Sequence, residues 1–298
     1  MNNTELSLTI DFQKDWIDIL NQRLIKDGYS VNPNIDTCIQ YFNTLRRRIE
    51  SKPRKILVSQ EFTCPKKYRA GIKLIRQKVK HGKDLIPHLN KIRSPGDPDP
   101  LLNDWGIHHF HLGTSIEKSG FIKRTGPLLF ARVTDDNFYM LDVIGHGSWS
   151  QQRLIEIIHH NWPRSIELFK VPEGYRLANT PVTDEDIAQL RKYGISTSIQ
   201  VPDGTIYSLL GGGYSVSNIS LDVRVTCNCY ARTIKNLENH VKENLPNLIE
   251  YLRQQGANLS SSLHFQLELK NDKAYAVELN SEASVELGPM MLQVMGKF

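Results

Sequence analysis

The sequence predicts an α+β protein: N-terminal helices, a small antiparallel-sheet core, and a second α+β unit. Three observations predict it. Apolar residues recur at helical spacing before residue 50, as in Phe12, Trp16, Ile19, Leu20 and Leu24. Three strand-like runs, WGIHHFHLG, GPLLFARV and FYMLDVIG, follow between Trp105 and Gly145. Helical and strand-like patterns then alternate to the C-terminus. With 298 residues the chain exceeds the roughly 100–200 usual for one domain. The expected divisions are a helical region at 1–55, an α+β core at 56–170, and a C-terminal α+β domain at 176–298.

In chain order, the first helix stops at Gly28, which suits the position just past a helix end. Ile35, Ile39, Phe42, Leu45 and Ile49 repeat the pattern behind Pro33, and Pro53 ends it. Residues 56–63 read as a short strand or extended connector. Tyr68, Ile72, Ile75 and Val79 mark a third helix ending at Gly82, and a short helix is expected from Asp84 to Lys91. RSPGDPDP at 93–100 is a loop. The TDDN segment at 134–137 makes the last two strands of the core a hairpin. Ser148 and Gln151 match S-x-x-Q, a capping box expected to open a helix carrying Leu154, Ile157 and Ile158 and ending before Pro163.

Beyond residue 175, a hairpin is expected around Pro202-Asp203-Gly204, and a further strand at 219–227. Ile234, Leu237, Val241, Leu245, Leu248 and Leu252 predict a helix divided or kinked by Pro246. FQLELK and AYAVEL form a last hairpin around Asn271-Asp272-Lys273.

Composition bounds the function classes. No apolar run approaches the roughly 20 residues of a membrane span, and the N-terminal stretch lacks the pattern of a secretion signal, so a cytoplasmic protein with no membrane partner is expected. Cys38, Cys64, Cys227 and Cys229 are too scattered for a disulfide framework and read as free thiols. Cys227 and Cys229 would share a face on a strand, but no second ligand pair lies near in sequence to complete a zinc site. Residues 46–83 hold fourteen Lys or Arg against Glu50 and Glu61, a local charge of +12 in a chain of +5. Such a block fits a polyanion partner, and Arg46, Arg47, Lys66, Lys67, Arg69, Lys73, Arg76 and Lys80 are the candidate RNA contacts. A solvated helix face is the plainer alternative.

The chemistry concentrates between Trp105 and Trp149. Side chains two apart on a strand share a face, so His109 and His111 point together while His108 joins Phe110 and Leu112. Arg124 and Arg132 lie on the second strand, and His146, flanked by Gly145 and Gly147, is expected at the mouth of the capped helix, an anion-binding position. Imidazoles exchange protons near neutral pH, and guanidinium groups neutralise a developing phosphorane. His109, His111, His146, Arg124 and Arg132 are therefore the candidate catalytic set for phosphodiester cleavage. The same histidines offer three metal ligands, with Asp142 the nearest carboxylate, but converging arginines oppose a divalent ion. No cofactor is expected. His108, His159 and His160 read as structural.

The order of helices and strands, the R-x-G-P-L-L-F-A-R strand and the closing V-I-G-H-G-S-W run resemble the RelE/ParE-type toxin superfamily over residues 66–162. The resemblance implies a metal-independent ribonuclease acting on mRNA, often on the ribosome, with an antitoxin protein as partner, or else a topoisomerase inhibitor. By position, Arg132 matches the family's strand arginine and His146 a basic residue after the third strand. The chain departs from the pattern in its His-Gly-Ser-Trp ending, its extra histidines and its length. The expected reaction is attack by an RNA 2′-hydroxyl to leave a 2′,3′-cyclic phosphate. A pure binding function, with structural histidines, is the rival. Of the weaker signals, Glu268-Leu269-Lys270 lacks the upstream acid of a metal nuclease, and Gly211-Gly212-Gly213 lacks the residues that complete a phosphate loop. Glu278, Glu282 and Glu286 read as surface.

Overall fold

The computed structural model describes residues 6–89, 95–175, 182–215 and 219–294. The fold is α+β, and by contact the chain divides into two units. One joins residues 1–45, 94–96 and 223–295; the other comprises 46–93, 97–222 and 296–298. This grouping brings the first helices together with the end of the chain, where the sequence order alone suggested separate regions at 1–55 and 176–298. The end of the expected 84–91 helix and the start of the 93–100 loop lie outside the described residues; a single 3₁₀ turn is seen at Ile86–His88.

The first unit is a four-stranded sheet of β1 (Ser7–Ile10), β8 (Ser262–Lys270), β9 (Lys273–Glu278) and β10 (Ser284–Pro289), in that spatial order. β1 runs parallel to β8; the other pairs are antiparallel. Asn271 and Asp272 have φ of 50° and 57°, the left-handed pair that a two-residue hairpin requires. α1 (Phe12–Lys26) lies against β8 and α8 (Leu245–Gln254) against β10, while α2 (Thr37–Arg47) and α7 (Leu221–Glu243) pack on α1, the unit boundaries falling inside α2 and α7. Trp16 and Phe42 stack on Tyr230, at 5.3 and 4.9 Å between ring centroids. Residues 219–227 were expected as a strand and are instead mostly the start of α7. Val223, Cys227, Tyr230 and Ile234 bury at helical spacing, and this burial outweighs the β-branched composition. Cys227 and Cys229 therefore do not share a face: Cys227 is buried and Cys229 is partly exposed. Glu278, expected on the surface, is fully buried and accepts bonds from the His264 and Ser281 N–H groups.

The second unit is built on a sheet in the order β2 (Lys55–Val58), β5 (Asn137–Ile144), β4 (Leu128–Val133), β3 (Ile107–His111). β2 is parallel to β5, and the other pairs are antiparallel. Both faces are covered, which is why β3 buries every residue. One face, with Phe110, Leu129, Phe138 and Met140, packs on Ile72, Ile75 and Val79 of α3 (Arg69–Lys80). The other, with Ile107, Leu128, Phe130 and Tyr139, packs on Leu101 and Trp105 of α4 (Pro100–Trp105) and on Leu154, Ile157 and Ile158 of α5 (Arg153–Asn161). Gly71 lets α3 approach the end of β3: an added Cβ would stand 2.0 Å from the Leu112 carbonyl oxygen. α6 (Asp184–Lys192) and the short hairpin β6 (Ile199–Gln200) and β7 (Ile206–Tyr207) complete the unit.

Candidate functional site

In the β3–β4 register, His109 lies opposite Phe130 and His111 opposite Leu128, so both histidines take the sheet face covered by α4 and α5. His108 takes the other face with Phe110. Leu128 also pairs with Ile144, the last residue of β5, and the chain then turns through Gly145-His146-Gly147. That turn returns Trp149 to the sheet. The Trp149 ring meets His109 at 4.5 Å and Phe130 at 5.7 Å, while His146 stands edge-on to it at 5.1 Å. One indole therefore meets both a buried imidazole and an exposed one.

Thr125 ties the segment before β4 to the end of β3. Its N–H donates to His111 Nδ1 at 3.2 Å, and its hydroxyl accepts from the Leu112 N–H and donates to the Pro127 carbonyl. A ring nitrogen that accepts from an amide carries no proton, so the neutral His111 bears its hydrogen on Nε2. Burial, the Arg124 charge and the neighbouring His109 and His146 hold His111 down to about 4, so it is neutral at physiological pH. Burial also lowers the His109 pKa, against the opposing pull of Asp99. Asp99 caps α4 by accepting the Leu102 N–H at 3.2 Å. Burial pushes its carboxyl up, but His109, Arg47, the Leu102 amide and His108 together hold it below the usual range. Asp99, His109, His111, His146 and Arg124 thus share one electrostatic neighbourhood. Arg124 and His146 are its exposed members. A Cβ added at Gly126, Gly145 or Gly147 would meet nothing within 4 Å, so this side is open.

The backbone of Trp149 is held from behind. Its carbonyl accepts from Arg191 Nη1, and Arg191 Nε pairs with Asp104 Oδ2 at 2.6 Å. The guanidinium lies 4.1 Å over the Trp105 ring. Both charges of this pair are buried.

Other sequence expectations take different positions. His146 does not sit at a helix mouth: α5 begins at Arg153, its cap is Gln152 rather than Ser148, and the Gln152 side chain makes no capping bond. The Gln152 N–H instead donates to Asp184 Oδ1 at 3.0 Å, so a carboxylate of this chain already occupies the start of α5. Arg132 shares the histidine face but lies opposite Ile107, at the far end of β3 from His111. It is 5% exposed, rests over the Tyr139 ring at 5.9 Å, and its Nη1 has no hydrogen-bond partner among the described residues. Arg46 is buried as well, pairing with Asp222 at 3.1 Å and donating to Ser220 Oγ and the Gly211 carbonyl. Arg47 donates to the Asp97 carbonyl. Lys66, Lys67, Arg69, Lys73, Arg76 and Lys80 are exposed, and α3 lies on the face opposite to His109. His159 bonds Tyr207 and Asp203, and His160 bonds Glu61.

Among the described residues no three His, Cys, Asp or Glu side chains are placed to hold one metal ion. Asp142, the nearest carboxylate in sequence, is committed to the Thr63 amide and hydroxyl and to Arg153 at 2.8 Å. Among those residues, no helix is long and apolar enough to cross a membrane. Three site residues carry weak sequence signals. Asp99 stands before Pro100 in the Asp-Pro pattern of a helix cap, whereas Trp149 and Thr125 are revealed only by the sheet register.

What the fold and the site define is an α+β protein with a histidine–tryptophan cluster at the open end of a covered sheet. Compared with protein-family models, curated proteins and solved structures, the chain matches none.

Proposed function

We propose that the second unit is a metal-independent endoribonuclease, related in chemistry to the toxins that its middle segment resembles. The observation that carries this reading is the His109–Trp149–His146 arrangement beside Arg124. In-line cleavage of RNA needs a base for the 2′-hydroxyl and an acid for the leaving oxygen on opposite sides of one phosphate. Two imidazoles that meet the same indole, at 4.5 and 5.1 Å, offer a base and an acid close together. In this reading the Trp149 ring moves aside to admit the 2′-hydroxyl to His109, which is buried and kept neutral by that burial; His109 takes the proton, the 2′-oxygen bonds to phosphorus as the bond to the 5′-oxygen breaks, and His146 gives that oxygen its proton. Arg124 holds the phosphate charge. Asp99 favours the imidazolium as it forms on His109. His111 orients the Arg124 segment through Thr125 rather than moving a proton, because its Nδ1 is occupied.

The products are a 2′,3′-cyclic phosphate and a 5′-hydroxyl. Arg132 and Arg46 serve the fold in this reading, and the cations of α3 lie on the other sheet face and take no part in the step. Ribosome-bound mRNA as the substrate and an antitoxin as partner rest on the resemblance alone. Purified full-length chain in EDTA should cleave single-stranded RNA or mRNA on ribosomes. His109→Ala and His146→Ala should each lower cleavage at least 100-fold with the thermal midpoint retained. Intact RNA with every such substrate refutes the reading.

A further inference from the structure

We propose that the outer edge of β2, together with the basic stripe of α3, is a docking groove for an extended acidic peptide segment of another protein, which joins the sheet as a fifth strand. Among the described residues β2 has a strand neighbour on one side only. The Lys55 N–H donates to the Asp136 carbonyl and the Ser59 N–H to the Met140 carbonyl, so odd-numbered residues turn their main-chain groups toward β5. Alternation then points those of Ile56 and Val58 outward. Arg54, next in the outward series, donates its N–H to the Val79 carbonyl of α3, which closes that end of the edge. Val58 is 41% exposed, and although β2 is short and begins at the exposed Lys55, it contains no proline or bulge.

Beside this edge lies a groove of about 340 Å³, floored by Ile56 and Ile72 and walled by Arg69, Lys73, Arg76 and Lys80. These four cations are spaced by four, three and four residues, so they form one stripe along the helix. At 1.5 Å per residue the stripe is about 16 Å long, the reach of roughly five residues of strand. Apolar floor, cationic wall and the outward main-chain groups of Ile56 and Val58, bounded by Arg54 and by Gln60, whose N–H donates to Asn161 Oδ1 at 2.9 Å, fit a short strand whose side chains toward α3 are acidic. A nucleic-acid backbone would satisfy the cations but could not complete the strand ladder. This surface stands apart from the histidine cluster, on the opposite face of the sheet, and does not depend on the nuclease reading.

The test is binding of the full chain to a fluorescein-labelled ten-residue peptide alternating Glu and Val, with the Lys–Val counterpart and a ten-nucleotide single-stranded RNA as comparisons. The Glu–Val peptide should bind and the Lys–Val peptide should not. Lys73→Glu with Arg76→Glu should weaken binding at least tenfold. Val58→Pro, which removes an outward N–H, should weaken it similarly with the thermal midpoint kept, and in the unaltered chain the Ile56 and Val58 amides should gain protection from hydrogen exchange when the peptide is added. No binding, unchanged binding in the variants, no gain in protection, or displacement of the peptide by the RNA would overturn the proposal.

Discussion

The ring of Trp149 lies 4.5 Å from that of His109, and the Trp149 carbonyl is held by Arg191, so the position of one imidazole is fixed through an indole to a buried ion pair. Asp104 and Arg191 are both almost wholly buried. Removing one charge strands the other, at about 3–5 kcal/mol, whereas removing both returns much of that cost. Arg191→Met and Asp104→Asn should each destabilise by that order, and the double variant by clearly less than their sum. A double-mutant cycle in urea reads the coupling.

Arg132 and Arg124 lie on the same strand and its approach, yet they face different surroundings. Arg132 is buried over Tyr139 with Nη1 unbonded among the described residues, and its burial depresses its pKa; Arg124 is exposed beside the histidines. A buried arginine without a carboxylate is replaceable by an apolar side chain of like volume. Arg132→Met should therefore be stable to within about 1 kcal/mol of the parent and retain RNA cleavage. Arg124→Met should retain stability and lose cleavage at least tenfold.

His88 and His111 are both held down to about 4, mainly by burial, and His88 Nδ1 donates to the His111 carbonyl. Unfolding frees each to its ordinary value near 6.5, so between about pH 4 and 6.5 the unfolded chain binds more protons. Stability is therefore fully present above pH 6.5 and falls as the pH drops toward 4. The two histidines together account for several kcal/mol, about 3 each. Urea midpoints measured from pH 7.5 to 4.5 should fall steadily, and His88→Leu should flatten the decline.

Gly71 is required by contact rather than by backbone conformation. An added methyl would overlap the Leu112 carbonyl oxygen, a main-chain atom that cannot swing aside. Gly71→Ala should cost about 2 kcal/mol or more, whereas Gly126→Ala, in open space, should change little. Thermal unfolding of the pair separates these cases.

The strands and most helices were legible because their periodicity is local. Alternation over 105–145 fixed β3, β4 and β5, and it also placed His109 and His111 on one face. What failed depended on distant partners. Ser148 and Gln151 have the spacing of a capping box, but Asp184, more than thirty residues on, meets the start of α5. Arg46 and Arg132 look like any surface cation until the fold buries them, and Trp149 meets two histidines only when the turn after β5 brings it back to the sheet. At 219–227, β-branched residues hid a helical repeat that continues to Ile234.

The most direct test of the central claim is cleavage, by purified full-length chain in EDTA, of an RNA whose susceptible nucleotide carries or lacks its 2′-hydroxyl, with the product ends identified by mass spectrometry. The account predicts a 2′,3′-cyclic phosphate and a 5′-hydroxyl from the ribonucleotide and no cleavage at the deoxy position. Cleavage that persists at the deoxy position, or a product bearing a 5′-phosphate, would contradict it.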